Sequence, residues 1–157
     1  MRKKLINDPF QESEVADHDW LQVHDLAGVE LTSEDAAHQI ESVFQVATAS
    51  GWRAAEPGSQ TIRLLFDQPQ HLRLIHLDFV EPAVERTQEY VLRWSPDNGQ
   101  TFYEIVRQQW NFSPSGTRSE TENHAVDLAN VTMLELTINP DIGNRNATAS
   151  LQRWQIA

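Results

Sequence analysis

Between residues 60 and 157 several stretches alternate apolar and polar side chains. In "TIRLLF" Ile62, Leu64 and Phe66 share one side, and in "IHLDF" Ile75, Leu77 and Phe79 do, with His76 and Asp78 opposite. "YVLRW" aligns Tyr90, Leu92 and Trp94, and "MLELTI" aligns Leu134, Leu136 and Ile138 with Glu135 and Thr137 outward. A period of two places one strand face on a core and the other in water. It predicts strands over 29–33, 60–67, 72–80, 88–95, 101–109, 121–128, 131–139 and 148–156. The stretch "IESVFQV", 40–46, fits a short strand or a buried helical turn. Ahead of these, Trp20, Val23 and Leu26 recur at spacings of three, which predicts a short helix over 15–26 within an acidic extension, 1–28.

Gly, Pro, Asn and Asp punctuate the strands at short intervals, as in an antiparallel sandwich. Pro96-Asp97-Asn98-Gly99 supplies a chain reversal, since Asn and Gly tolerate positive φ. The predicted fold is therefore all-β, an antiparallel sandwich over 29–157. Successive strands of such a sandwich alternate direction, so alternate connections emerge at one end. The short links at 68–71, 96–100 and 128–130 fall at one end. The longer links at 81–87, 111–120 and 140–147 fall at the other, with the segment "GWRAAEPGS" that enters the strand at 60. Binding residues concentrate on loops held by a rigid scaffold, which makes the second end the candidate site.

Composition narrows the partners. The 157 residues are about one domain's length, and 39% hydrophobic with 22% charged is ordinary for a globular chain. Twelve Lys and Arg against 23 Asp and Glu leave a net charge of −11, which repels phosphate backbones and anionic lipid. Nucleic acid and membrane surfaces are thus poor partners, and a monomer is expected. There is no cysteine, which excludes disulfides and thiolate metal sites. Behind the basic Arg2-Lys3-Lys4 start no apolar stretch of about 7–15 residues follows, so the expected location is cytoplasmic. On that expectation the glycosylation triplets at Asn111, Asn130 and Asn146 are chance matches.

Several stretches resemble the discoidin, or coagulation factor 5/8 type C, domain family. "VELTSEDAAHQIESV" followed by "SGWRA" is similar to the family's opening strand, Ser-rich turn, loop and Trp. "QTIRLLFDQPQHLRLIHLDF" is similar to its pair of strands joined by a short turn, and "YVLRWSPDNGQTFYEIV" to its strand, Asp/Asn-Gly turn and aromatic. The resemblance covers about 29–157 and implies a galactose-binding-like jelly roll. It also implies a non-catalytic module that holds sugars, lipid head groups or protein partners in loops at one end. The family's frequent terminal disulfide is absent, and so are the basic and apolar spikes of lipid-binding members.

Candidate chemistry follows. By family position Trp52 is a structural plug, and Trp94 and Trp154 belong to the core. Trp110 and Phe112, at a strand end in "QQWNFSPSG", are candidates to stack on a sugar ring. Arg86, Arg118 and Arg145 fall one in each long loop, where a planar fork can donate to hydroxyls or to a partner's carboxylate. Asn111, Asn144 and Asn146 can bind hydroxyls or build turns. No His pair has metal-ligand spacing: His18 and His24 share no helical face, and His71 and His76 fall on opposite strand faces. Ser95 before Pro96 is not set in a nucleophile elbow, and no Gly-rich phosphate loop is present. Glu120 and Glu122 read as a solvated acidic face. No cofactor is implied, and Glu34 and Asp35 are the oxygen ligands available to a structural calcium ion. Three functions remain: a carbohydrate-binding module, an intracellular protein-interaction module, and a hydrolase using a carboxylate pair. The first is favoured by a loop aromatic beside amides, the second by the absence of an export signal.

Overall fold

The computed structural model describes residues 19–45 and 50–157. Strands β1 (Ala27–Leu31), β2 (Trp52–Arg53), β3 (Gln60–Val80), β4 (Arg86–Ser95), β5 (Tyr103–Phe112), β6 (Ser119–Asn139), β7 (Ser150–Leu151) and β8 (Arg153–Ile156) follow one short helix, α1 (Val23–Leu26). A 3-10 turn spans Ile40–Phe44. Helix α1 is shorter than the periodicity predicts. Residues 19–22 are not helical, and 15–18 lie outside the described residues.

The two long strands organise the molecule. β3 and β6 pair antiparallel from Gln60↔Ile138 to Val80↔Ser119, with register shifts between Leu65 and Leu74. The first half of β3 and the second half of β6 belong to a sheet of order β1-β3-β6-β4-β5. The second half of β3 pairs with β8 and with the first half of β6. Both strands thus cross from one layer of a sandwich to the other at an irregular corner, a bulge device that increases bend and twist. Asn130 takes φ 58° at the corner of β6, and Pro69, without an amide hydrogen, stands at that of β3.

The expected turns at 68–71 and 128–130 are therefore corners within continuous strands. The physical reason is that the partner bends too: Gln70 still pairs with Val131 across the corner, so neither strand needs to reverse. A corner returns the chain toward the same end as a hairpin would, which is why the loop parity survives.

Alternation fills the space between the layers. Ile62, Leu64, Ile75, Leu77, Phe79, Leu92, Leu134, Leu136 and Ile138 are all fully buried. Tyr90 on β4 stacks on Phe79 of the opposite layer with centroids 5.1 Å apart, and its hydroxyl shares a 2.8 Å hydrogen bond with His124 Nε2 of β6. Trp52 closes one end, donating from Nε1 to the Ser33 carbonyl at 3.1 Å, and Trp154 is wholly buried. The turn after β4 is built as its residues predict. Asn98 and Gly99 take φ 58° and 89°, and Asp97 Oδ1 accepts from Ser95 Oγ at 2.7 Å and from the Thr101 amide at 2.8 Å.

Candidate functional site

The end carrying the long loops is built on a buried cation. Arg86 opens β4 and has no exposed surface. A guanidinium is tolerable there only when its donors are met. Its Nε donates to Glu81 Oε1 at 2.9 Å, and its Nη1 donates to Gln88 Oε1 at 3.1 Å and to the Pro140 carbonyl at 3.0 Å. Nη2 donates to Ser150 Oγ at 3.4 Å, and the guanidinium carbon lies 4.8 Å from the Phe112 ring centroid. The Glu81 amide donates to the Arg118 carbonyl at 2.7 Å, and the Ile142 amide to the Thr87 carbonyl at 2.8 Å. Segments 81–85, 113–118 and 140–149 are thereby fixed to one centre.

At this end a groove of about 400 Å³ is lined by Gly58, Ser59, Asn139, Asn144, Arg145 and Asn146, with Pro57, Pro140 and Asp141. Its rim is prearranged by Asp141. The Asp141 side chain accepts from the Gly143 amide at 3.0 Å and from Arg145 Nε at 2.6 Å. Burial alone would raise the Asp141 pKa, but the Gly143 amide and the Arg145 guanidinium outweigh it and hold the carboxyl below its ordinary value. Arg145 is thus tethered through Nε, and among the described residues its two terminal nitrogens make no hydrogen bond. Neither the Asn144 nor the Asn146 side chain is bonded either, and Asn144 holds φ 60°, a left-handed conformation Asn tolerates. The groove therefore offers a guanidinium fork and two amides, donors and acceptors of the kind that sugar hydroxyls meet.

The structure sorts the residues expected at this end. Asn144 and Arg145 line the groove. Arg118 is exposed, its Nε donating to the Pro114 carbonyl at 2.7 Å, and Asn111 is exposed with Oδ1 accepting from Thr87 Oγ1 at 3.0 Å. Two expectations are corrected. Arg86 and Phe112 are fully buried and belong to the foundation of the loops, with no surface for a ligand. Trp110 is half-buried and packs against the core, outside the groove lining. The reason is strand length: β5 runs to Phe112, three residues beyond the predicted 109, so alternation turns Trp110 and Phe112 inward and Asn111 outward. Sequence reasoning also passed over Val84 and Ile142, which are 47% and 40% exposed in the 81–85 and 140–147 loops. A lone aliphatic residue in a loop carries no sequence signal of its own, although Ile142 between Asp141 and Gly143 has no core alternation to join.

Glu120 and Glu122 are a further correction. Glu120 is 1% exposed, on the face of β6 that looks into the sandwich, and Gln88 Nε2 donates to its Oε1 at 3.3 Å. Burial first, then the hydrogen bond and charge of Glu122, push the Glu120 carboxyl up to about 8. The Glu120 carboxyl is thus closed off from solvent, whereas two-carboxylate glycoside hydrolysis needs two carboxyl groups roughly 5–9 Å apart around a substrate. His124, near Glu122, is lowered by burial. Elsewhere His71 pairs with Asp127, and His76 sits between Asn123 and Asp78 at 2.7 and 2.9 Å. Glu34 accepts from the Ile40 amide at 3.0 Å and Asp35 pairs with His38 at 2.7 Å. Among the described residues no three His, Asp or Glu side chains are placed to hold a metal.

No family model matches the chain, and no curated protein does. Solved structures do. A pectin-binding carbohydrate-binding module matches with TM-score 0.60 at 15% identity, over 83% of this chain and 89% of its own. The Clostridium perfringens module CpGH89CBM32-5, in complex with GalNAc-β-1,3-galactose, matches with TM-score 0.62 at 15% identity, over 88% and 99%. A Ruminococcus gnavus GH29 fucosidase in complex with fucose matches with TM-score 0.63 at 9% identity, over 84% of this chain but 25% of that one. At these identities the likeness is one of fold: the chain has the β-sandwich of carbohydrate-binding modules, the galactose-binding-like architecture.

Proposed function

We propose that this chain is a non-catalytic carbohydrate-binding module whose ligand occupies the groove between the 57–59 and 139–146 segments. The observation that carries this reading is the tethered Arg145 fork beside the unbonded Asn144 and Asn146 amides. Around it the loops are held by the Arg86 hub, so the donors are positioned before a ligand arrives and little ordering entropy is lost on binding. Sugar ligands in the complexes of structurally similar modules support the class of ligand. No cofactor enters this function.

The test is a glycan-array screen of the protein with Arg145→Ala and Asn144→Ala alongside. The expected result is a specific hit weakened at least tenfold in both variants, with melting temperatures unchanged within a few degrees. A hit indifferent to both substitutions would move the site away from the groove.

A second reading is favoured by exposed Val84 and Ile142, together with Val80 at 38% exposure. Apolar side chains on loop tips suit a protein partner as well as the apolar face of a sugar. A blank array, with partner capture lost in Val84→Asp and Ile142→Asp, would choose it.

A further inference from the structure

The buried acid Glu120 inside the sandwich is wired to the loop end. Gln88 connects the two: its carboxamide oxygen accepts from Arg86 Nη1 at 3.1 Å, and its amide nitrogen donates to Glu120 Oε1 at 3.3 Å. That polarity is fixed, because Arg86 can only donate and a carboxyl oxygen facing an amide nitrogen can only accept. Arg86 in turn holds Glu81, Pro140 and Ser150. At the other side of Glu120, its Oε2 is buried and has no hydrogen-bond partner, which favours a protonated carboxyl there. We propose that Glu120 is a pH-responsive positioning residue that sets the shape of the loop end through Gln88 and Arg86.

The groups facing Glu120 decide the direction. From β6 comes Glu122, from β4 Arg86 and Tyr90, and His124 faces Glu122 and the Tyr90 hydroxyl. β3 presents only Phe79 and Leu77, its Cα partners of Glu120 and Glu122, and β5 presents Trp110, whose Nε1 is buried without an acceptor. Neither contributes a charge. With the proton in place, Glu120 is neutral and Arg86 answers to Glu81 alone. When the proton leaves, two carboxylates face each other and the new charge on Glu120 competes with Glu81 for the guanidinium. Burial and Glu122 hold this ionisation back to about pH 8. The loop end is therefore in its bonded form at neutral and acidic pH and rearranges above it. This coupling concerns the geometry of the loops whatever they bind.

The experiment needs no ligand. Amide chemical shifts of Glu81, Ile142 and Gly143 are followed by NMR from pH 6 to pH 10 in the intact protein, in Glu120→Gln and in Glu122→Gln. The expected result is a shared midpoint near pH 8 in the native chain, its loss in Glu120→Gln, and a lower midpoint in Glu122→Gln, where Glu120 keeps its burial but loses the opposing charge. A native profile flat through that range overturns the proposal, and so does the same midpoint in Glu120→Gln. Glu120→Gln keeps the shape and the acceptor for Gln88, and the Glu122→Gln shift is a readout that a merely structural role would not move.

Discussion

Two buried carboxyl groups at one end of this sandwich are held in opposite states. Asp141 is 3% exposed and Glu120 is 1% exposed, so desolvation works against the charge of both. Asp141 remains an anion below its ordinary range because an amide hydrogen and a guanidinium point at it. Glu120 receives one carboxamide N–H and a like-charged neighbour, and its carboxyl is pushed up to about 8. The lesson is that donors can outweigh burial, as at Asp141, or fall short of it, as at Glu120. One carboxylate fixes the rim of a groove at all but acid pH; the other is a proton-dependent element behind it.

The largest effect should come from removing the cation both regions depend on. Arg86→Met leaves Glu81 buried without its partner, and breaking such a pair costs about 3–5 kcal/mol. A urea melt of that variant should show a midpoint far below the native one, and Glu81→Met added to it should recover part of the loss. Next in size is the pH dependence of stability. Because the Glu120 pKa is raised in the fold, its stabilising contribution is full below the ordinary value of 4.5 and falls as pH rises toward about 8, where the unfolded chain ionises first. Melting temperatures of the native chain should thus fall between pH 5 and pH 8, and Glu120→Gln should flatten the decline. Asp141 acts with the opposite sign: its pKa is lowered, so its contribution is present above the ordinary 3.8 and is lost as pH falls through the folded value. Asp141→Asn should remove that acid limb and leave the alkaline one untouched.

A smaller effect is expected from Trp110→Ala. The ring is half-buried against the core, and its truncation should cost about 2 kcal/mol, read as a lowered denaturant midpoint. At the bottom of the scale, Arg107 bridges Glu89 and Glu104 with 54% of its side chain exposed, and Arg107→Ala should leave the melt unchanged.

The sheets were legible because period two needs no tertiary information: Ile62, Leu64, Ile75, Leu77, Phe79, Leu134, Leu136 and Ile138 all lie where alternation places them. The corners were not. Nothing in "DQPQ" or "LANV" distinguishes a turn from a bend that the partner strand follows, since the difference lies in pairings such as Gln70↔Val131 across 61 residues. For the site, the loop end was legible from parity and its chemistry only in part. Asn144 and Arg145 follow from loop composition. Arg86 reads as a loop arginine until Glu81, Pro140 and Ser150 are brought around it by three different segments. Phe112 was misplaced by a three-residue difference in where β5 ends. That error exchanges inside for outside because the side-chain period is two.

The most direct test of the binding account is an amide NMR titration of the labelled protein with galactose and with GalNAc-β-1,3-galactose. The account predicts saturable shifts concentrated at Gly58, Asn144, Arg145 and Asn146, lost in Arg145→Ala. Saturable shifts concentrated elsewhere, or none at millimolar concentrations of either sugar, would contradict it.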